Sequence, residues 1–439
     1  MTISIISLIG IIGALALFVY LSFKGFNIVI AGILASLAVI LTSGKDVLTM
    51  VTDVWSAGFA GYLKGYFLVM IFSACVGHLM GKSGAAKRIA LLLYNLCKKS
   101  KKHAKLFGAM LVPIIYMCLN YIGVSGLVII FTVLPIGVEI FREFNIPWRL
   151  YCYACIMICS SWLPASLAQS NLVATGMAGV SISAAPVLGL VSAVVFAIVG
   201  FALLAADLRR AEKRGEGFME TGRAYLESNS SAGKGFDNDD NLPSLLVSVI
   251  PFFGTIIFAV VLGMNIIIAL FLDMLLALAV FWRYIPNKKL AITEGLASAF
   301  NPAISVAICT GLAYVMKASP GFEIVITGID ALPPTIAGVT YLALMATLTG
   351  SQVTPISGMG ELALASFAEA GLSAATSARL ASMSIFPSIP PHSSAIANIV
   401  TIGKMDYKKI VGIYLKVTWL GGLAAVAVSI VLVNLGLFV

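Results

Sequence analysis

The chain has 439 residues, 60% of them hydrophobic and 11% charged, with a mean hydropathy of +1.03. That balance excludes a soluble globular domain and places the sequence among polytopic membrane proteins. The net charge of +9 is spread over segments between apolar runs, as membrane orientation requires, so no nucleic-acid partner is implied.

The N-terminus runs straight into apolar sequence without a basic n-region or a small-residue cleavage site, which predicts a retained span rather than a signal peptide. A span needs about 20 apolar residues. On that scale, helices are expected at 3–22, 27–43 and 60–81. The following stretch, GKSGAAKRIALLLYNLCKKSKKHAK, carries an apolar stripe of Ile89, Leu92, Leu93 and Leu96 between basic flanks, the pattern of an amphipathic arm helix in the interface. From Lys82 to Lys105 it has eight Lys or Arg and no acid, so the arm is expected to be cytoplasmic.

Two apolar runs, Leu106–Cys118 and Gly126–Phe141, flank the polar tip NYIGVS and read as a re-entrant hairpin; a pair of full spans fits the length as well. A broken helix is expected at 148–177 and a span at 184–206. Residues 207–242, with six basic and eight acidic side chains among Gly, Ser and Asn, read as a flexible cytoplasmic linker.

The second half repeats the plan. Spans are expected at 245–264, 266–282 and 292–316, then an interfacial segment at 318–333 with only Glu323 and Asp330 for charge. A second polar-tipped pair follows, Ile336–Leu348 and Glu361–Ala370 around TGSQVTPISGMG, then a broken helix at 376–402 and a last span at 409–437. Placing the second arm outside puts 24 of the 28 Lys and Arg residues on the cytoplasmic side, leaving Lys45, Lys64, Lys317 and Arg379. The expected fold is an all-α polytopic membrane protein of two inverted repeats. Each has about five transmembrane helices, an interfacial arm helix, a re-entrant hairpin and a broken helix, with both termini outside.

The chemistry concentrates at the breaks. Ser384–Val400, SIFPSIPPHSSAIANIV, is interrupted by Pro387, Pro390 and Pro391, which remove amide donors and stop a helix. Such an interruption at membrane depth is tolerated only where protein or a water-filled cavity satisfies the freed backbone groups. A weaker echo, SWLPASLAQSNLVATGM, lies 223 residues earlier, aligning Pro164 with Pro387 and Gln169 with His392. Paired interruptions in two halves are the best sequence pointer to a transporter's substrate site.

Four polar clusters supply candidate donors for an anion at half-helix ends: Asn120, Tyr121, Gly123 and Ser125; Ser166, Gln169, Ser170, Asn171 and Thr175; Thr349, Ser351, Gln352 and Thr354; and Ser388, Ser393, Ser394 and Asn398 with His392. Gly350 and Gly358 would let backbone approach a ligand closely. None of these windows contains an arginine, which favours a compact monocarboxylate held by neutral donors. For proton coupling the candidates are His392, whose unperturbed pKa is near physiological pH, and Glu361, provided it is buried. Ser and Thr that merely back-bond to carbonyls, and a histidine bonded only within its break, are the alternatives. Lys64 and Asp273 fall in spans and read as a structural pair or snorkelling groups. The cysteines, including Cys152 and Cys155, lack the further ligands a zinc site needs and read as small apolar residues.

GFNIVIAGILASLAVIL, MGKSGAAKRIALLL, LPASLAQSNLVAT and GSQVTPISGMG, in the order arm, hairpin, broken helix and span, resemble the gluconate permease (GntP) family of the ion transporter superfamily. The resemblance covers nearly the whole chain. It implies proton-coupled symport of a small organic acid across the bacterial cytoplasmic membrane, with no cofactor, by a homodimer. It also implies scaffold spans at 1–81 and 243–316, carrying mobile transport elements at 106–206 and 336–439. The first break departs from the family, reading ASLAQSN where Pro, His and Gly are usual, which weakens the expectation of a sugar acid. A sodium-coupled di- or tricarboxylate carrier is the alternative, with an intramembrane enzyme or a channel more remote.

Overall fold

The computed structural model describes residues 2–24, 26–85, 88, 89, 92, 95, 103–121, 126–166, 168–228, 242–255, 257, 258, 262 and 264–437; these are predominantly helical, with no strand among them. In the first half, α1 (Thr2–Phe23) and α2 (Ile28–Thr42) pack side by side, and a π-helical turn at Met50–Trp55 leads into α3 (Ser56–Lys82). Then come α4 (Ala104–Tyr121) and α5 (Gly126–Glu143), followed by two 3-10 segments, Trp148–Ile156 and Ile158–Trp162. The short α6 (Gln169–Met177) and the long α7 (Pro186–Lys213) complete the half. Of the expected arm stripe, Leu93 and Leu96 lie outside the described residues, as do Gly123 and Ser125 of the first hairpin tip.

After α8 (Met219–Ser228), the second half contains α9 (Leu245–Thr255), α10 (Ile266–Val280), α11 (Lys288–Ala297), α12 (Phe300–Ala318) and α13 (Pro320–Ile329). Next are α14 (Pro334–Thr349), α15 (Thr354–Glu369), α16 (Ala374–Ser384), α17 (Ser394–Ile402) and α18 (Tyr407–Asn434). Several elements match in length across the halves. α2 and α10 each have 15 residues and start the same way: the Asn27 side chain accepts the Val29 amide, and Asn265 accepts that of Ile267, both at 2.9 Å. α6 and α17 each have nine residues, and α7 and α18 each have 28.

Helices α1, α4, α7 and α18 are long and apolar enough to cross a membrane by length and composition. α12 and α13 turn through 71° at Ser319–Pro320, which sends α13 across α1. There the Gly321 amide donates to Ser7 Oγ at 3.0 Å, and a Cβ on Gly321 would lie 2.3 Å from the Leu8 nitrogen. The expected span 292–316 is in fact two helices that part at Ser298–Ala299. The last spans, α7 and α18, meet through small residues, with Ser192 Oγ 2.7 Å from Ser429 Oγ and Gly421 under Phe196, the close approach that membrane helices favour in place of a hydrophobic drive.

Two expectations need correction. Residues 148–162 are 3-10 rather than α-helical. In a 3-10 turn side chains at i and i+3 eclipse, which stacks Trp148 on Tyr151 with ring centroids 4.7 Å apart. The linker is flexible in neither of its first two parts: α7 continues to Lys213, and α8 docks Phe218 and Tyr225 on Trp148, so apolar burial outweighs the polar composition there. The rest of the linker, 229–241, lies outside the described residues.

Charges at this end are paired. Asp207 is buried and accepts from Tyr153 Oη at 2.8 Å, Lys416 Nζ at 3.1 Å and Arg210 Nη1 at 3.2 Å. Arg149 forks onto Glu216, Nε to Oε1 at 2.6 Å and Nη2 to Oε2 at 2.9 Å. That hydrogen bond from Arg149 holds the Glu216 carboxyl below the usual carboxylate range. Because the folded value is depressed, the pair's contribution is complete above about pH 4.3, the unfolded glutamate value, and is lost as pH falls through the lower folded value. Arg149→Lys keeps the charge and loses the fork. It is expected to lower stability by about 1–3 kcal/mol at neutral pH, with the difference from wild type closing below pH 4, read by thermal unfolding of the purified protein; a difference that ignores pH would remove the pair from the account.

Candidate functional site

The first break is built where the chain leaves the 3-10 segment at Trp162 and re-enters helix at Gln169. Ala165 turns it with φ +59°, a left-handed conformation that a side chain disfavours. The end of α4 closes over it: Tyr121 Oη donates to the Pro164 carbonyl at 3.0 Å, and Ser160 Oγ to Asn120 Oδ1 at 2.9 Å. Ser166 Oγ lies 3.5 Å from the Tyr121 carbonyl and 3.3 Å from the Ala168 amide, which donates to it. Asn171 is fully buried and its Nδ2 donates to the carbonyls of Ser166 at 2.7 Å and Ile182 at 3.1 Å.

Into this break reaches a residue of the other half. Arg379, on α16, is 1% exposed, and all five of its N–H groups find acceptors. Nη1 donates to the Trp162 carbonyl at 2.8 Å and Asn171 Oδ1 at 2.9 Å; Nη2 to the carbonyls of Ala184 at 2.7 Å and Ile182 at 3.3 Å; and Nε to Ala184 at 3.2 Å. The four polar clusters contain no arginine, but the fold brings Arg379 from outside them against the first break. Its signal was present in SAATSARLASMS, a lone cation among small residues in an apolar region, where an ionisable side chain is by default a functional candidate.

The second break runs from the end of α16 to Ser393, whose hydroxyl caps α17 by accepting the Ile396 amide at 3.4 Å. The tip of the second hairpin sits on it. Gly350, at φ +60°, passes so close that a Cβ there would lie 2.9 Å from Ser393 Cα. His392 is buried with Nε2 3.0 Å from the Leu348 carbonyl, so Nε2 carries a proton, and its ring meets Phe18 of α1 edge-on with centroids 6.0 Å apart. The two nine-residue half-helices, Gln169–Met177 and Ser394–Ile402, start 225 residues apart, against the 223 of the sequence echo.

The remaining candidates divide. Thr175 and Thr349 back-bond to Asn171 and Met345 carbonyls at 2.8 and 2.7 Å, and so serve their helices. Ser351 accepts from Thr354, and Gln352 is half-buried. Gln169, Thr354 and Glu361 are exposed on the chain, so the burial that proton carriage by Glu361 required is missing. Lys64 is exposed while Asp273 is buried. Ser394 begins α17. In contrast, Ser170, Ser388 and Asn398 are buried with hydroxyl or amide atoms that meet no partner among the described residues. Such atoms cost free energy unless something bonds them, which marks both breaks as places for a polar ligand.

Clefts of about 300 and 490 Å³ open elsewhere, beside Arg149 and Lys409, and are lined by charges of both signs already engaged in part with each other. They lie among the ion pairs around Arg149 and Asp207, and no break residue lines them.

The family model for GntP family permeases matches residues 1–319. An uncharacterized transporter of Bacillus subtilis (strain 168), YxjC, is 26% identical over 409 residues, covering 84% of each chain. With buried broken helices and spans of membrane length, these matches make the chain a multi-pass membrane protein and a secondary transporter, and it belongs to the GntP permease family.

Proposed function

We propose that this permease carries a small monocarboxylic acid, such as a hydroxy, keto or sugar acid, together with a proton across the bacterial cytoplasmic membrane. The observation that carries the reading is the pair of breaks, the first bonded by the end of α4 and the second by the end of α14, each holding buried polar atoms with no partner among the described residues. Half-helix N-termini beside free donors suit a carboxylate. Their burial suits a carrier, which must move to expose its site, better than a channel, which needs a continuous wet path. α14 and α15, at 16 residues and roughly 24 Å each, fall short of a hydrocarbon core of about 30 Å, which fits a re-entrant hairpin. The matched element order fits two inverted repeats, and by family resemblance the unit is a homodimer.

His392 is the proposed proton carrier. Its Nε2–H is spent on Leu348, which leaves Nδ1 to take and release a proton. In proteoliposomes an inward proton gradient should drive accumulation of the acid. His392→Ala should abolish that accumulation while retaining exchange of labelled for unlabelled acid, a readout that separates coupling from folding. Accumulation driven by sodium at fixed pH, indifferent to His392, would replace the proton with sodium. Gly350→Ala places a side chain at positive φ against Ser393, so it should cost about 1–2 kcal/mol for the left-handed backbone alone and lower both thermal stability and uptake. An alanine variant with unchanged uptake would show that the tip does not need to seat on the break.

A further inference from the structure

We infer that the first break is the subsite for the acid's carboxylate, with Arg379 as the positioning residue that supplies its positive charge across the interface between the halves. The inference rests on the organic-acid reading above and goes on to divide the roles of the two breaks.

Three observations converge. First, the buried guanidinium is held entirely by neutral acceptors, three carbonyls and an amide oxygen, and among the described residues it pairs with no Asp or Glu. A buried charge without a counter-charge is costly, so a site that keeps one is set up for an anion from outside the chain. Second, the amide it holds, Asn171, stands in the first turn of α6, at the positive end of that half-helix. Third, in the same turn the Ser170 hydroxyl is 2% exposed and has no partner among the described residues.

The second break differs in kind. Among the described residues Ser388 and Asn398 are equally unpartnered there, yet Arg379 spends its donors on Trp162 and Asn171, which flank the first break, and on the Ile182 and Ala184 carbonyls of the loop after α6. A neutral donor and acceptor set suits a hydroxyl or keto oxygen. The two breaks together thus select an acid with one charged and one neutral polar end. A second carboxylate would meet no fixed cation there, only His392, which on the reading above is charged while it carries the proton.

Ser170→Ala gives the decisive variant, because a hydroxyl without a partner leaves nothing unsatisfied when removed. The probes are lactate, pyruvate, glycerate and gluconate, each beside its uncharged amide, with malonate as a dicarboxylate, added to the purified full-length protein and read by thermal stabilisation and by proteoliposome uptake. Ser170→Ala should unfold at the wild-type temperature and need about tenfold more acid for the same stabilisation, a loss of one donor to an anion. Arg379→Gln should lose the preference for acid over amide, and Arg379→Lys should restore part of it; a purely structural arginine would leave that ratio unmoved. Should Ser388→Ala or Asn398→Ala weaken acid binding while Ser170→Ala does not, the carboxylate belongs to the second break: the proposal fails and the organic-acid reading stands. If no acid stabilises or enters with the wild type, both fall.

Discussion

A carbonyl freed by a broken helix has to find a donor, and in a membrane interior water is not there to provide it. At the first break that need is met from the far half of the chain: one guanidinium gathers the carbonyls of Trp162, Ile182 and Ala184 and the side chain of Asn171. Much of the local structure follows from its bulk. Gly189 has no room for a Cβ, which would stand 2.3 Å from the Trp162 carbonyl and 3.1 Å from Arg379 Cδ. Ala165, three residues after Trp162, and Ala185, next to Ala184, adopt left-handed φ, strain that a well-determined surrounding can hold. Fold and site are therefore one construction here, since the residue that makes the interruption tolerable also brings the charge.

The second break solves the same problem with other means. Pro387, Pro390 and Pro391 have no amide hydrogens to satisfy, and the tip of α14 is pressed against Ser393, while His392 meets the Leu348 carbonyl at its end. The end of α4 is tied to the first break in the corresponding way through Tyr121 and Pro164. In each half a displacement of the break must therefore carry its hairpin along or sever those bonds. The shared element order is thus mechanical, whereas the side-chain chemistry of the halves has diverged.

The membrane class, the two halves and the position of both breaks were legible because they rest on hydropathy, proline placement and length, all local in sequence. Arg379 was not read correctly because its role depends on contacts nearly 200 residues away with the carbonyl of Ala184 and over 200 with Asn171. In the charge count it was only one of four Lys and Arg residues left off the cytoplasmic side. The linker was misjudged for the opposite reason. Its polar composition hid Phe218 and Tyr225, whose burial on Trp148 orders α8. Glu361 illustrates a third limit: the pattern placed it beside a polar tip, but only the packing of α15 determines that it faces outward.

Burial of the unpartnered atoms bears directly on how the protein works. Ser170, Ser388 and Asn398 are buried from solvent and bonded by no partner among the described residues, so a ligand can meet them only when packed elements separate. Arg379 is fixed in place by five hydrogen bonds, to Trp162 and Asn171 beside the first break and to Ile182 and Ala184 in the loop after α6. On the reading proposed above, a fixed cation inside a site that opens by movement of surrounding helices makes release depend on the site's rewetting: in water the attraction between two charges about 4 Å apart falls to about 1 kcal/mol, several-fold below its value in a partly buried setting. The same opening that lets the anion in therefore weakens the hold that would otherwise keep it there.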